Sequence, residues 1–310
     1  MHRSDPVELH VALGTSKRLL IAGEPGAGKT TFLHRIAFEA CHVRLGKQHE
    51  RAVQRMLPEP AAFPILLRAS DLAEHLARWR PTGVMAIMAA LEKLIHCLGT
   101  TNPRLGPDYF RQLMQKGCLL MIDALDEIPG DAERTEISEI LLHFADSKDF
   151  FSKTQLVATS RPGHYRGIAN ITGLQSVKID DLSAAAIDKF AEKWGLAVHP
   201  ENSAAAADLT ARLLREVRAK KEIRKMSGNP VMLACLHFTQ IQADPKFKDV
   251  ALPEQRSELY NSVLEWLAKA RTHLDYSKLL SRMRMLALAM HTAELRFRYH
   301  RAGGHFLYST

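Results

Sequence analysis

The sequence predicts an α/β fold: a parallel five-stranded sheet flanked by helices, followed by an all-helical module. Three observations carry this. Five short apolar runs, at 18–22, 63–68, 118–123, 155–159 and 176–179, alternate with longer helical or loop stretches. Strands that alternate with helices build a parallel sheet covered on both faces. A glycine-rich loop joins the first run to a helix, and no convincing strand follows Asp180.

The first run, Arg18-Leu19-Leu20-Ile21-Ala22, reads as a buried strand. Gly23-Glu24-Pro25-Gly26-Ala27-Gly28-Lys29-Thr30 follows and fits G-x-x-x-x-G-K-[ST], and Thr31-Phe32-Leu33 opens a helix. Strand, glycine loop and helix are the phosphate-binding unit of a P-loop NTPase. The loop's N–H groups form an anion nest, and the helix N-terminus adds partial positive charge. Lys29 is expected to reach the β- and γ-phosphates of a nucleotide, and the Thr30 hydroxyl to ligate Mg²⁺.

The third run, Leu119-Leu120-Met121-Ile122-Asp123, ends in an acid. Downstream of a phosphate loop, such an acid holds Mg²⁺ beside the loop hydroxyl. Asp126 and Glu127 follow, and either can orient and activate an attacking water as general base. The fourth strand ends at Thr159-Ser160-Arg161-Pro162. If it lies beside the phosphate-loop strand, Thr159 or Arg161 can face the γ-phosphate, where an arginine stabilises developing charge. Arg-Pro-Gly is also good turn chemistry, and position alone favours neither reading.

Beyond residue 180 the elements are helical. Ser183 reads as the N-cap of a helix over 184–194, with Gly195 as its C-cap. A helix over 204–226 ends at Ser227-Gly228-Asn229-Pro230, 231–241 is apolar enough for a buried helix, Pro253 opens another, and 279–295 is the last. The expected domains are a core over 1–181, a helical domain over 182–252 and a helical segment over 253–310.

Composition excludes several classes. No apolar run approaches the length of a bilayer span; the most apolar helical stretch, 84–91, is interrupted at once by Glu92-Lys93. The N-terminus lacks the apolar core of a signal peptide. The four cysteines are far apart and form no C-x-x-C pair, and the fifteen histidines are scattered. This suits a reducing cytoplasm better than a disulfide scaffold or zinc site. Cys118, at the head of an apolar strand, is expected to be a buried small hydrophobe. The formal charge of +8 raises a DNA-associated AAA+ ATPase as an alternative. The basic residues are dispersed, however, and the densest run, 218–225, falls on a predicted helix, so a solvated face is the better reading and nucleic acid is not the expected partner.

Taken in order, the motifs resemble the NACHT group of STAND NTPases. Residues 23–31 (GEPGAGKTT) are similar to the family's phosphate loop, so that Thr31 joins the nucleotide-binding set. Phe63-Pro64-Ile65-Leu66-Leu67-Arg68 with Asp71-Leu72 resembles its second strand, 119–128 (LLMIDALDEI) its extended Walker B, and Thr159-Ser160-Arg161-Pro162 its sensor strand. Asn229-Pro230 before an apolar helix resembles the motif whose proline packs near adenine, and 252–260 resembles the stretch that follows the helical domain in bacterial members. Many AAA+ proteins place Glu directly after the Walker B Asp; here Ala124 stands there. A guanine motif, N/T-K-x-D, is absent, which favours adenine.

The resemblance implies a switch that holds ADP when closed, exchanges it for ATP, forms a homo-oligomer in the ATP state and hydrolyses slowly. It implies sensor or effector protein partners. It also implies a winged-helix segment, whose start the last helix would supply. A second reading is a scaffold that holds nucleotide without turnover. Seventeen residues precede the first strand, so a further expectation is a switch core without its own input or output: a fragment, a truncated product or a subunit working with partners.

Overall fold

The computed structural model describes residues 9–46, 62–79, 112, 116–128, 130, 133–135, 137–138, 141, 154–162, 174–242, 252–271 and 276–301. The 84–91 stretch lies outside them. The chain divides into two compact units, 1–181 and 182–310.

In the first unit, α1 (Leu9–Thr15) leads into β1 (Arg18–Ala22), which turns into α2 (Lys29–Arg44). Then come β2 (Phe63–Arg68), α3 (Ala69–Trp79), β3 (Cys118–Asp123), β4 (Gln155–Ser160) and β5 (Gln175–Lys178). The five strands form one sheet in the order β2-β3-β4-β1-β5, with every pairing parallel. The expected α/β P-loop core is therefore present, each strand within one or two residues of its predicted bounds.

The burial pattern explains the strand sequences. β3 and β4 are buried along their whole length, as a parallel sheet covered on both faces requires. Leu33, Ile36 and Ala40 of α2 recur at helical spacing and pack on Leu19, Ile21, Leu119, Met121 and Val157. Burying each such Leu or Ile contributes about 1.5–3 kcal/mol. Cys118 is fully buried, and burial pushes its thiol up to about 11, opposed by its hydrogen bond with Thr154. The Gln155 side chain donates to the carbonyls of Leu13 (2.5 Å) and Ser16 (2.7 Å), which ties the end of α1 to β4.

The sheet order places β1 between β4 and β5, and β4 between β1 and β3. Ile21 pairs with Thr159 across one side of β4, and Ile122 pairs with Ala158 across the other. The C-terminal ends of β1, β3 and β4 thus finish together at one edge. Ligands of open α/β sheets bind at such an edge.

The second unit contains α4 (Ala184–Val198), α5 (Ser203–Ala219), α6 (Lys221–Ser227), α7 (Pro230–Gln242), α8 (Arg256–Arg271) and α9 (Tyr276–Arg301). Ser183 caps α4 as expected, accepting from the Ala186 N–H at 3.2 Å. Two expectations are corrected here. Gly195 does not end α4; it is buried inside the helix where α5 crosses closely. A Cβ there would stand 2.5 Å from Thr210 Oγ1 and 2.8 Å from the Ala206 carbonyl oxygen, so the glycine serves packing and not termination. The predicted helix over 204–226 is broken at Lys220, whose backbone is extended (φ −111°, ψ 123°), and the basic run 218–225 spans that break. Pro253 precedes the first turn of α8 by three residues. The last helix runs longer than predicted, and the residues after Arg301 lie outside the described set.

His237 is fully buried in this unit with neither ring nitrogen hydrogen-bonded in good geometry, and its ring stacks on Trp194 at 5.5 Å. Burial holds the imidazole below its ordinary value, with the backbone of residues 237 and 191 partly opposing. A depressed folded-state value means that the neutral form belongs to the folded state. The associated stability is present above the unfolded value near 6.5 and is lost as pH falls below it. Urea melts should therefore show stability falling from pH 7 to pH 5, and the fall should be smaller in His237→Phe. Equal pH dependence in the two proteins would refute this account of His237.

Candidate functional site

The phosphate loop takes its shape from two left-handed glycines, Gly26 (φ 79°) and Gly28 (φ 91°), a conformation in which a side chain is strained. Gly28 is the residue before α2 and caps it without a side chain, so the helix begins with unsatisfied N–H groups facing an open loop. The loop is pinned at its base, where the Gly23 N–H donates to the Ser160 carbonyl (3.1 Å) and the Ile179 N–H to that of Ala22 (2.8 Å). Glu24 and Pro25 are exposed at its tip.

Lys29 Nζ donates to the carbonyls of Gly23 (2.6 Å) and Glu24 (3.1 Å), so the ammonium lies folded over the loop. Burial lowers its proton affinity. The carboxylate of Asp126 opposes this, the Arg161 guanidinium adds to it, and Asp123 and Glu24 oppose it more weakly. Lys29, Asp126, Arg161 and Asp123 therefore share one electrostatic neighbourhood.

Asp123 is the centre of that neighbourhood. Thr30 Oγ1 donates to its Oδ2 at 2.7 Å and Thr159 Oγ1 donates to its Oδ1 at 2.6 Å. Thr159 in turn accepts the Ala124 N–H at 2.8 Å. The side chains of α2, β3 and β4 thus converge on one carboxylate. Ala124 has a left-handed backbone (φ 60°), the one non-glycine with positive φ among the described residues. That conformation costs about 1–2 kcal/mol, and the bond from Thr159 offsets part of it. It turns the chain from β3 into a single 3-10 turn, Leu125–Glu127.

The two acids after Asp123 have different surroundings. Asp126 is occupied: its Oδ1 accepts the Arg161 backbone N–H at 3.0 Å, and its Oδ2 lies 2.9 Å from Arg161 Nε. Glu127 is exposed; its backbone N–H donates to the Ala124 carbonyl at 2.9 Å, and its carboxylate makes no hydrogen bond or ion pair among the described residues. At the β4 end Thr159 turns inward to Asp123, while Arg161 is at the surface and held by Asp126. Sequence reasoning placed all these residues at the site but missed the two pairings. Their signal was present only as position, a hydroxyl and a cation at the end of a strand adjacent to the acid-bearing one. Pro230 begins α7 in the second unit and is described there only.

A Mg²⁺ ion fits this donor set. It prefers hard oxygen ligands, takes few from protein and completes its shell with water and phosphate, and the Thr30 hydroxyl and Asp123 carboxylate are already adjacent. Among the described residues no three His, Cys, Asp or Glu side chains cluster to hold a metal, and such an ion needs no such cluster.

Comparison with known proteins agrees with this geometry. The profile of the NACHT domain matches residues 17–197. The chain belongs to the NACHT domain family. This makes it a nucleotide-binding P-loop NTPase of a family associated with nucleotide hydrolysis. No curated protein matches the chain at a significant level. Among solved structures, this NACHT chain is similar to that of the Aeropyrum pernix ORC1 protein in complex with DNA, at 15% identity and a TM-score of 0.44, over 99% of this chain and 81% of that one. That likeness is too loose to bear on what the chain binds. No helix among the described residues is long and apolar enough to cross a membrane.

If Thr159 orients Asp123, Thr159→Val, which keeps the shape and removes both hydrogen bonds, should weaken Mg²⁺-dependent nucleotide binding about fivefold to thirtyfold, the effect of leaving a buried acceptor short of one donor. Titration calorimetry with ADP, with and without Mg²⁺, measures this. A loss that is the same in EDTA would show that Thr159 acts on the loop and not through Asp123.

Proposed function

We propose that this protein is an ATP-driven signalling switch, in which slow hydrolysis couples ADP/ATP exchange to a conformational change and to homo-oligomerisation. The observation that carries the reading is the convergence of Thr30, Asp123 and Thr159 at the mouth of a phosphate loop, with the exposed acid Glu127 in the turn that follows. The absence of a guanine motif from the sequence supports adenine.

In this reading the N–H groups of 23–31 and the Lys29 ammonium cradle the β- and γ-phosphates. Lys29 must leave the carbonyls of Gly23 and Glu24 to do so. Thr30 and Asp123 hold Mg²⁺, which neutralises phosphate charge when bound. Glu127 holds the attacking water and takes its proton, because Asp126 is already engaged. Arg161 faces the γ-phosphate and stabilises charge there. A switch requires that ATP and ADP favour different states, since only differential affinity shifts a population. Sensor or effector proteins would read that difference, in a cytoplasmic setting.

The purified protein should be a monomer carrying ADP, and should form a larger species with Mg²⁺ and a slowly hydrolysed ATP analogue; light scattering with nucleotide analysis reads both. In single-turnover assays Glu127→Gln should slow hydrolysis about 100-fold or more, and Asp126→Asn much less. Identical mass in both nucleotides would contradict the switch. Unchanged turnover in Glu127→Gln would contradict the assignment of the base.

A further inference from the structure

Asp126 is a carboxylate at the phosphate-binding edge, yet it is neither at the Mg²⁺ position nor free to act as base. Its side chain is only 6% exposed, whereas that of Arg161 is 48% exposed. Both its oxygens are taken by one residue, through the Arg161 backbone N–H and Nε. The contact joins the turn after β3 to the end of β4, beside Lys29. Its charges matter to a ligand: a γ-phosphate arriving there brings up to two negative charges close to a carboxylate and offers its oxygens to a guanidinium that is already paired. The two anions compete for one cation. Arg161 can exchange its Nε partner by side-chain rotation alone, because the backbone N–H bond still ties residue 161 to Asp126.

We propose that Asp126 is an internal substitute for the γ-phosphate, which holds Arg161 while the site is empty or carries a diphosphate and releases it to a triphosphate, so that this pair sets the preference between ADP and ATP. Asp126 is then a positioning residue that acts through Arg161. The inference rests on the preceding reading that the loop binds both nucleotides. The exchange supplies what a switch needs, a contact present in one nucleotide state and replaced in the other. It also explains why an acid remains where it opposes the triphosphate: without it, Arg161 would favour the triphosphate at all times.

The experiment compares the affinities of ADP and ATPγS, both with Mg²⁺, for wild type, Asp126→Asn, Arg161→Gln and the double variant. In Asp126→Asn the preference for ATPγS over ADP should rise about two- to fivefold, the scale of a half-exposed ion pair, with ADP affinity itself nearly unchanged. In the Arg161→Gln background the same substitution should produce no such rise. An unchanged ratio in Asp126→Asn overturns the proposal. So does a rise that persists without Arg161, since a general reduction of negative charge would then be its cause. A wild-type measurement stands beside these variants. The Arg161 Nε–H resonance, assigned by its loss in Arg161→Lys, should stay in place with ADP and move with ATPγS; equal shifts with both overturn the proposal. If wild type binds neither nucleotide, the reading of the loop itself fails, an outcome distinct from a protein that binds both without the predicted shift.

Discussion

Both oxygens of Asp123 accept hydroxyl hydrogen bonds, from Thr30 at the start of α2 and from Thr159 at the end of β4. Three elements that approach from different points of the chain are registered at this carboxylate. The parallel sheet makes the meeting possible, because β4 lies between the strand that carries the loop and the strand that carries the acid. The meeting in turn depends on Thr159, a fully buried residue with a hydroxyl. A valine there would fill the same space and leave Asp123 Oδ1 without its donor. The strained turn at Ala124 belongs to the same arrangement, since its N–H ends on Thr159. The start of α2, the Asp123 carboxylate and the direction of the acidic turn are thus linked through one buried group.

The charges around this point divide the labour among similar residues. Asp123, Asp126 and Glu127 lie within five positions of one another, yet one is held by two hydroxyls, one by an arginine and one is open to solvent. Their environments distinguish them, not their chemistry. The helical unit rests on different forces: an apolar cluster around Leu213, Leu233 and Leu259, a helix crossing made close by Gly195, and an aromatic contact between Phe238 and Trp266 at 4.3 Å. Within that unit His237 is buried and its ring stacks on Trp194.

The sheet was legible in the sequence because strands buried on both faces are written as continuous apolar runs, and the loop because left-handed turns and phosphate contact demand glycine and lysine at fixed spacing. The position of Asp123 was legible because an acid ending an apolar strand gains meaning downstream of a phosphate loop, and the structure brings it beside Thr30. The pairings were not legible. Whether Thr159 meets Asp123 depends on β4 lying beside β3, a pairing between residues 36 apart along the chain. That Asp126 and not Glu127 is engaged by Arg161 depends on where β4 ends. Gly195 misled because a glycine near the end of an apolar helical run serves either as a cap or as a contact point, and only the neighbouring helix decides. The break at Lys220 carries no glycine or proline to announce it; a basic run of good helix formers conceals an extended residue.

The account stands most directly on Asp123 as the residue that holds a divalent ion beside the nucleotide. Manganese, which substitutes for magnesium at oxygen sites and gives an electron paramagnetic signal sensitive to binding, tests it. Wild-type protein with ADP should bind Mn²⁺ in a ternary complex and deplete the free-ion signal. Asp123→Asn, which keeps the size of the side chain, should retain ADP and leave the Mn²⁺ signal that of the ion outside the protein. Depletion of that signal to the wild-type extent by Asp123→Asn, with ADP bound, would contradict the central place given to this carboxylate.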